Sequence, residues 1–492
     1  MTLGRLGSYG PGPEIERNRS RGGTVAEGEE SESDAPPLCD QTHCPLVDWG
    51  DAQRRCHHAN RHRFDRNNTL EPRTAPFVSK GTQTVPKSAV VIRTWVGFRY
   101  TPQAIVTLRA MINELALGSG GEYDIHLLLH VKDNSVLFWE SQALYEEIRA
   151  HNVPEEFRGL VTLWSEKQME TVYPGPFTNN TENRSGKSIH GVWRSPHMPL
   201  QYFAQNHPEY DFYWNWEMDV RSTGHYYELF DKLGRWARDQ PRRGLWERNA
   251  KYHIEGLHSS WNKWAESVEK ENEAAGNTPV WGPLLFPNSG ALHSPQSIWP
   301  PDELETEAYN RWGIGEEADL ITLSPMFDPD QTRWMFDKDV TGYDLDLPIP
   351  PRRVSIVAAA RLSRRLLHLM HEEVFTFKRT MWTEMWPPSC ALHYGLKAVY
   401  APHPVYFDRN WPVDAAEKIF NGGKYGSSGG NASSVFGSYQ HNLQGSTWYH
   451  NARFAGALWR RWLGQEHDGG GGEGLDRMCL RSMLLHPVKH EA

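Results

Sequence analysis

The hydrophobic pattern of the chain begins abruptly near residue 88. Residues 1–85 are rich in Pro, Gly, Arg, Ser and Glu and show no sustained apolar period, which predicts a disordered stem. The segment Ser88–Trp95 is then a short apolar run of the kind that fills a buried parallel strand. Order is therefore expected to begin at about residue 86.

A helix and a second strand follow this first strand. Thr101 and Pro102 predict the N-cap and the first turn of a helix that runs to Leu117, with apolar residues at helical spacing. The apolar run 123–131 predicts the next strand. Strand, helix and strand in this order are typical of a right-handed crossover unit. The sequence therefore predicts an α/β, Rossmann-like domain whose mostly parallel central sheet is flanked by helices.

The rest of the chain continues the alternation of helices and strands. Further helices are predicted at 136–150, 196–206, 356–375 and 448–463, and further strands at 160–164, 211–221 and 398–407. Gly- and Ser-rich stretches predict a loop at 422–446 and a flexible tail that opens at 469–472. The expected organisation is a disordered stem at 1–85, the α/β domain at 86–420, a loop and packed helix at 421–465, and a flexible tail at 466–492.

The strand predicted at 211–221 ends in two carboxylates. Its period of two places Phe212, Trp214, Trp216 and Met218 on one face, expected to be core, and Tyr213, Asn215, Glu217 and Asp219 on the other, expected to be a site. Ligands of open α/β sheets bind outside the carboxyl ends of the strands. Carboxylate oxygens there suit Mg²⁺ or Mn²⁺, which complete their shells with water and substrate phosphates. The sequence thus predicts that Glu217 and Asp219 hold Mn²⁺ or Mg²⁺. The alternative is that both acids only solvate the strand end.

Other side chains are expected at the same edge. Arg93, Thr94 and Trp95, with Asn215, are candidates for binding a nucleotide, because arginine pairs with phosphate and an indole ring stacks on a base or a sugar. His403, in a proline-stiffened segment, is a candidate third metal ligand. A hydrogen-bonded loop histidine is its alternative role.

Two further groups of polar residues could serve such a site. Glu316, Glu317 and Asp319 follow a glycine-rich turn and are rival candidates for a general base, with a solvated helix N-terminus as the alternative. Four basic residues precede the acidic strand and are candidates either for diphosphate contacts or for plain surface charge: Lys187, His190, Arg194 and His197.

Composition excludes several classes of protein. With 61 acidic against 52 basic residues and a net charge of −9, the chain has no basic field that would bind nucleic acid. No apolar stretch approaches the length of a transmembrane segment, and residues 1–20 lack the apolar stretch of a signal peptide, so the chain as written is expected to be soluble. No Gly-x-Gly-x-x-Gly follows the first strand, which argues against a dehydrogenase.

Several motifs resemble those of glycosyltransferases. The Glu-Met-Asp triplet at 217–219 resembles the Asp-x-Asp signature of metal-dependent glycosyltransferases, with Glu in its first place. The segment 312–321 resembles the Trp-Gly-Gly-Glu-Asp type segment of inverting galactosyltransferases. It departs from that pattern because Ala318 takes the place of the base when Glu317 is aligned with the preceding acid.

Together, the segments 213–221, 315–322 and 398–409 resemble an uncharacterised fungal family known as a domain of unknown function, whose members are glycosyltransferase-like with a GT-A type fold. The resemblance implies a hexosyltransferase that moves a sugar from a UDP- or GDP-sugar to a hydroxyl acceptor (a glycan, a glycoprotein or a small metabolite) in the Golgi or secretory lumen. Two alternatives stay open: a catalytically degenerate sugar- or nucleotide-binding protein, and a metal-dependent phosphohydrolase.

Overall fold

A computed structural model gives the arrangement of most of the chain. It describes residues 46–64, 85–178, 185–276, 280–286, 300–301, 307–330, 332, 334–344, 346–356, 358–429, 444–464 and 480–489. Much of the predicted stem, most of the predicted Gly/Ser-rich loop and the glycine-rich start of the predicted tail lie outside these residues.

Eleven strands are present in the described residues. In chain order they are β1 (Ser88–Trp95), β2 (Tyr123–His130), β3 (Val161–Trp164), β4 (Phe212–Glu217), β5 (Arg221–Ser222), β6 (Leu320–Thr322), β7 (Val340–Thr341), β8 (Ala359–Ser363), β9 (Thr380–Met381), β10 (Ala398–Tyr400) and β11 (Leu484–Leu485).

The described part of the chain also contains fourteen α-helices. They are α1 (Trp49–Ala59), α2 (Pro102–Met111), α3 (Gln142–Asn152), α4 (Glu166–Val172), α5 (His197–Asn206), α6 (Tyr226–Asp239), α7 (Leu245–Asn249), α8 (Glu255–His258), α9 (Trp261–Ala274), α10 (Glu307–Arg311), α11 (Arg364–Phe375), α12 (Trp386–His393), α13 (Val413–Phe420) and α14 (Arg453–Trp462). A π-helical turn, Ile112–Leu117, continues α2. No helix of the described residues is both long and apolar enough to cross a membrane.

The central sheet has seven strands in the order β10-β6-β8-β4-β1-β2-β3. Every strand is parallel to the others except β8, which runs antiparallel to both of its neighbours, β4 and β6. The predicted class, an α/β domain with a mostly parallel central sheet flanked by helices, is confirmed. The predicted N-cap is confirmed as well, because the Thr101 side chain accepts a hydrogen bond from the backbone N–H of Ala104 at 3.2 Å.

Strand β4 lies in the middle of the sheet and is buried on both faces. Residues 212–216 are all buried, including Tyr213 and Asn215. The expectation that one whole face of this strand forms a site is therefore wrong. A central parallel strand is covered on both sides, so polar chemistry is confined to its end.

The first described helix corrects the predicted stem. Asp48 caps α1 by accepting a hydrogen bond from the backbone N–H of Asp51, and the Gln53 amide pairs with both backbone groups of Ile125 on β2, at 3.0 and 3.1 Å. The Trp49 indole N–H donates to Glu156 at 2.8 Å. Residues 46–64 are thus part of the folded body, and the prediction of disorder is wrong for them because tertiary contacts supply the stability that their composition does not show.

The end of the chain corrects the predicted flexible tail in the same way. Strand β11 pairs antiparallel with β5, with Leu484 opposite Ser222 and Leu485 opposite Arg221. The backbone N–H of Val488 donates to the carbonyl of Asp219 at 2.8 Å. Residues 480–489 are therefore fixed against the turn that follows β4, and the tail prediction is wrong for this segment.

The helix predicted at 356–375 is in fact a strand followed by a helix. Residues 359–363 form β8, all buried. Ser363 then caps α11, accepting a hydrogen bond from the backbone N–H of Leu366 at 3.0 Å. An apolar run of this length is compatible with either structure, and the neighbouring strands β4 and β6 select the strand.

Candidate functional site

Glu217 and Asp219 lie at the carboxyl edge of the central sheet. Glu217 is the last residue of β4, and Asp219 follows in the turn that leads to β5. The turn is held because the backbone N–H of Val220 donates to the carbonyl of Glu217 at 3.2 Å. The predicted position of both carboxylates, at the end of a buried strand, is confirmed.

His486 joins these two carboxylates from the far end of the chain. Its Nε2 atom lies 2.9 Å from Glu217 Oε2 and 3.5 Å from Asp219 Oδ1. The pairing of β11 with β5 delivers it, since His486 directly follows Leu485. We call Glu217, Asp219 and His486 the carboxylate–histidine cluster.

The charges in the cluster favour ionised carboxylates. Burial acts to raise the pKa of Glu217, but Arg93 and His486 outweigh it and lower that pKa below its ordinary value. For Asp219 burial also opposes ionisation, and His486 and Lys489 together lower its pKa. Burial lowers the pKa of His486, yet its hydrogen bonds to Asp219 and Glu217 prevail and raise that pKa to about 9. The three side chains thus share one proton between two anions.

The same three side chains fit a divalent cation. Each offers one ligand atom, and these atoms all lie within 4.8 Å of one another. The Nδ1 atom of His486 lies 3.1 Å from the backbone carbonyl of Tyr449. A hydrogen bond from Nδ1–H to this carbonyl orients the ring so that Nε2 faces the two carboxylates, and Nε2 would act as a metal ligand on losing its proton. Two carboxylates and one imidazole make a mixed oxygen and nitrogen set, which suits Mn²⁺ better than Mg²⁺.

Arg93, Thr94 and Trp95 lie at the same edge as the cluster. Arg93 stands beside Glu217 in the register of β1 and β4 and pairs with its carboxylate. Thr94 is buried, and its Oγ1 atom has no hydrogen bond among the described residues. Trp95 ends β1 with 40% of its surface exposed, and the Lys132 ammonium lies 5.7 Å from its ring centre. Asn215 lies deeper, beside Val91 in the buried middle of the sheet.

His403 is not part of the cluster. Its ring packs edge-on against Trp448, with ring centres 4.7 Å apart. The ring centres of Trp448 and His486 are in turn 5.5 Å apart. Burial lowers the pKa of His403 to about 4. The structure does not bring His403 to the two acids, because the C-terminal strand, and not the proline-stiffened segment, carries a histidine to them.

Glu316, Glu317 and Asp319 lie at the opposite edge of the sheet. β6 runs in the same direction as β4, and these acids come before β6 begins. The Ser363 hydroxyl, which is level with Phe212 at the start of β4, donates to Asp319 at 2.7 Å. Glu217 comes five residues after Phe212 along β4, which corresponds to roughly 16 Å at the usual rise per residue of a strand.

The three acids also have structural partners. Glu316 makes a two-pronged ion pair with Arg242, both contacts at 2.7 Å. Glu317 pairs with Arg361 at 3.1 Å. For Asp319, Arg365 and Ser363 overcome the effect of burial and hold the pKa of the carboxyl below its usual range. The structure therefore places these candidate general bases in ion pairs at the edge of the sheet opposite Glu217 and Asp219.

Two of the four predicted basic residues, Arg194 and His197, are buried and are not surface charges. Arg194 is fully buried and pairs with the equally buried Asp339 at 2.7 Å, so it does not face a ligand. His197 is buried at the start of α5, with Nε2 3.2 Å from the Thr383 carbonyl. Burial and the nearby Arg93 lower the pKa of His197 to about 3.

Sequence reasoning missed His486 and Lys489, which lie beside Glu217 and Asp219. The glycine-rich stretch at 469–474 indicates a flexible tail, so no functional residue is predicted after it. A signal did exist, since Met483, Leu484 and Leu485 form an apolar run after it, followed by His486 and Pro487. Apolar residues beyond a flexible linker indicate a segment that returns to the core.

The fold and the cluster together define an α/β protein with an acidic, histidine-containing group at the carboxyl edge of its sheet. Residues 2–490 match the family described as "Protein of unknown function (DUF3405)". The chain belongs to this family. A comparison of the sequence with curated proteins found no match.

Two solved structures are similar to this chain. One is the X-ray structure of the mannosyltransferase Ktr4p from S. cerevisiae, which is 11% identical, with 82% of this chain and 90% of that chain covered and a TM-score of 0.24. The other is the same mannosyltransferase in complex with GDP, which is 11% identical, with 72% of this chain and 78% of that chain covered and a TM-score of 0.22. What this chain binds and transforms has to be inferred from its own residues.

Proposed function

We propose that the protein is a metal-dependent glycosyltransferase that moves a sugar from a nucleotide-diphosphate sugar to a hydroxyl acceptor. The observation that carries the proposal is the carboxylate–histidine cluster, with three ligand atoms within 4.8 Å of one another at the carboxyl edge of an α/β sheet. Ligands of such sheets bind at this edge. Glu217, Asp219 and His486 would hold a divalent cation, preferentially Mn²⁺.

The chemistry of the cluster suits a diphosphate leaving group. When bound, a divalent cation supplies positive charge that neutralises the charge developing on the departing diphosphate. Arg93 is held beside the cluster by Glu217, and its Nε–H group is buried without a hydrogen bond among the described residues. It is therefore a fixed cationic donor for a phosphate oxygen.

The edge beside the cluster offers a place for the nucleotide base. Trp95 ends β1 and is exposed over 40% of its surface, so part of the indole is accessible to a flat ring. Lys132 lies near the same ring, and the buried Thr94 hydroxyl stands between Trp95 and Arg93 in the chain. Stacking on Trp95 would orient the base while Arg93 orients the diphosphate.

One argument for a catalytically degenerate binding protein no longer holds. Ala318 is buried at the far edge of the sheet, between residues that form ion pairs there. Its departure from the galactosyltransferase pattern therefore has no bearing on the reaction site. A metal-dependent phosphohydrolase is disfavoured because such enzymes usually use two metals, and a single three-ligand group was found in the described residues.

Calorimetric binding of GDP and of UDP to the full-length protein, with and without Mn²⁺, tests the proposal. We expect one of the two nucleotides to bind in a Mn²⁺-dependent manner. Asp219→Asn should weaken this binding about 100-fold or more, because replacing a direct ligand costs at least as much as replacing a residue that supports one. The matched control is Asp231→Asn, which alters a surface acid on α6 that is paired with Arg235 and should bind like the wild type.

A donor screen then separates the candidate functions. Mn²⁺-dependent release of nucleotide from a GDP-sugar or a UDP-sugar supports the transferase. Metal-dependent nucleotide binding without turnover of any donor would favour a binding protein, and phosphate release from simple phosphoesters would favour a phosphohydrolase. Failure of the wild type to bind either nucleotide would overturn the proposal.

A further inference from the structure

Trp193 is the most exposed large apolar side chain among the described residues, with 71% of its surface open to solvent. The chain has 21 tryptophans, and the next most exposed of those that the structure describes is Trp95, at 40%. An indole ring carries a large apolar surface, and keeping that surface in water forgoes the free energy that burial would give. Trp193 is therefore an exception in a chain that packs nearly all of its other described indoles.

The backbone that presents Trp193 is fixed on both sides. The preceding residue, Val192, donates its backbone N–H to Oε1 of Glu166 at 2.8 Å. The following residue, Arg194, donates its backbone N–H to the carbonyl of Gly191 at 3.0 Å, and its guanidinium lies in a fully buried ion pair. The indole thus projects into solvent from an anchored segment. A side chain held in this way loses little conformational entropy when a ligand binds.

Hydrogen bonds connect the segment of Trp193 to the carboxyl edge of the central sheet. Glu166, which holds Val192, begins α4 directly after the end of β3. The next residue, Lys167, donates its backbone N–H to the side chain of Asn134 at 3.1 Å, and Asn134 lies in the turn that follows β2. Trp95 ends the adjoining strand, β1. The two most exposed tryptophans of the described residues therefore belong to the same edge of the sheet.

The position of this anchor sets the distance between Trp193 and the carboxylate–histidine cluster. Strands β4, β1, β2 and β3 are neighbours in this order. Strands of a sheet lie about 4.8 Å apart, so three spacings place β3 about 14 Å from β4. Glu217 ends β4, and the segment of Trp193 is held at the end of β3. A molecule that reaches from the cluster to Trp193 is therefore extended.

The surroundings of Trp193 suit a sugar ring. Lys187 and Ser188, which precede it in the same segment, are exposed, and the exposed Lys167 pairs with Glu170 at 2.9 Å. A pyranose ring has a face of C–H bonds, which stacks on a flat indole, and a rim of hydroxyls, which form hydrogen bonds with polar side chains. A protein interface instead needs a contiguous apolar patch. One anchored indole in polar surroundings favours the carbohydrate.

Resting on the proposed function, we infer that Trp193 is a stacking platform for a sugar ring of the acceptor. The unit that carries the accepting hydroxyl lies at the carboxylate–histidine cluster, and a sugar further along the same chain stacks on Trp193. The acceptor is then a carbohydrate chain of more than one unit. Of the glycan, glycoprotein and small-metabolite acceptors that the sequence left open, this selects one that presents an oligosaccharide.

The test measures binding of three neutral trisaccharides (maltotriose, mannotriose and triacetylchitotriose) to the full-length protein by calorimetry, with Mn²⁺ and the nucleotide that the wild type binds. The wild type should bind at least one of them. Trp193→Ala should raise the dissociation constant of that trisaccharide about 10-fold or more, the effect of losing one stacked ring, and leave Mn²⁺ and nucleotide affinity unchanged. Trp193→Phe keeps a flat ring and should retain most of the affinity.

The matched control is Val106→Ala. Val106 lies on α2 and is exposed over 62% of its surface, so the change removes another exposed apolar side chain. It should bind both ligands like the wild type. Because Trp193 and Val106 are exposed, neither substitution removes core packing, and circular dichroism should show native folding for every variant.

Each other outcome has a definite meaning. If the wild type binds nucleotide with Mn²⁺ but none of the trisaccharides, or if Trp193→Ala binds them as the wild type does, the inference is overturned and the proposed function stands. If Trp193→Ala weakens nucleotide binding instead, Trp193 belongs to the nucleotide site. If sedimentation shows a wild-type dimer that Trp193→Ala dissociates, the ring belongs to a protein interface. These two results also overturn the inference. Wild-type protein that binds no nucleotide overturns the proposed function and the acceptor role together.

Discussion

Replacing His486 by alanine is expected to weaken Mn²⁺ binding about 100-fold or more, because it removes a direct ligand from a set of three. The imidazole is the group that spans Glu217 and Asp219, with Nε2 at 2.9 and 3.5 Å from their oxygens. Without it, two carboxylates face each other with no donor between them. Mn²⁺ titration by calorimetry, with circular dichroism to verify folding, measures the effect.

The matched control for this prediction is His403→Ala. His403 is the histidine that the sequence favoured, and it packs against Trp448 instead of facing the two acids. Its removal should leave Mn²⁺ affinity near the wild-type value. If His403→Ala loses binding and His486→Ala keeps it, the ligand assigned from the structure is wrong. If neither variant changes Mn²⁺ affinity, the cluster does not bind the metal through histidine.

Replacing Arg194 by methionine is expected to lower the free energy of unfolding by about 3–5 kcal/mol, because it leaves an uncompensated buried charge. Arg194 and Asp339 have 0% exposed side chains and are joined at 2.7 Å. Arg194 also donates to the Thr341 hydroxyl at 3.0 Å, so it ties the segment ahead of α5 to β7. Urea unfolding followed by fluorescence of the tryptophans measures the change.

Two comparisons identify burial as the cause of this loss. Lys232→Met removes a surface ion pair with Glu228 on α6 and should cost at most about 0.5 kcal/mol. The double variant Arg194→Met/Asp339→Leu should recover most of the stability, because two apolar side chains replace a buried ion pair without leaving a charge. A loss below about 1 kcal/mol for Arg194→Met would contradict the importance given to this pair.

Local patterns in the sequence predict much of the central sheet. The apolar runs that become β1 and β2, the helix between them and its Thr101 cap depend on residues close together in the chain. The acidic end of β4 follows the same logic, since the alternation of its apolar residues places Glu217 at the strand end. These features are encoded locally because capping, helical spacing and strand burial are short-range properties.

The errors concern contacts between distant segments. The sequence predicts α1 as part of a disordered stem because nothing near Trp49 reveals that Glu156 accepts a hydrogen bond from its indole. The acids at 316–319 have the composition of a catalytic segment. The direction of β6 places them at the edge of the sheet opposite Glu217. Strand direction is set by pairing across the sheet, which a local pattern does not specify.

By itself, then, the sequence determined the α/β class, the first crossover unit and the position of Glu217 and Asp219 at a strand end. The tertiary structure decided which residues meet those two acids. His486 reaches Glu217 across 269 positions of the chain, and Lys489 reaches Asp219 from the same C-terminal segment. Such long-range contacts depend on strand pairing and on the packing of the whole domain, and the spacing of residues along the chain does not predict them.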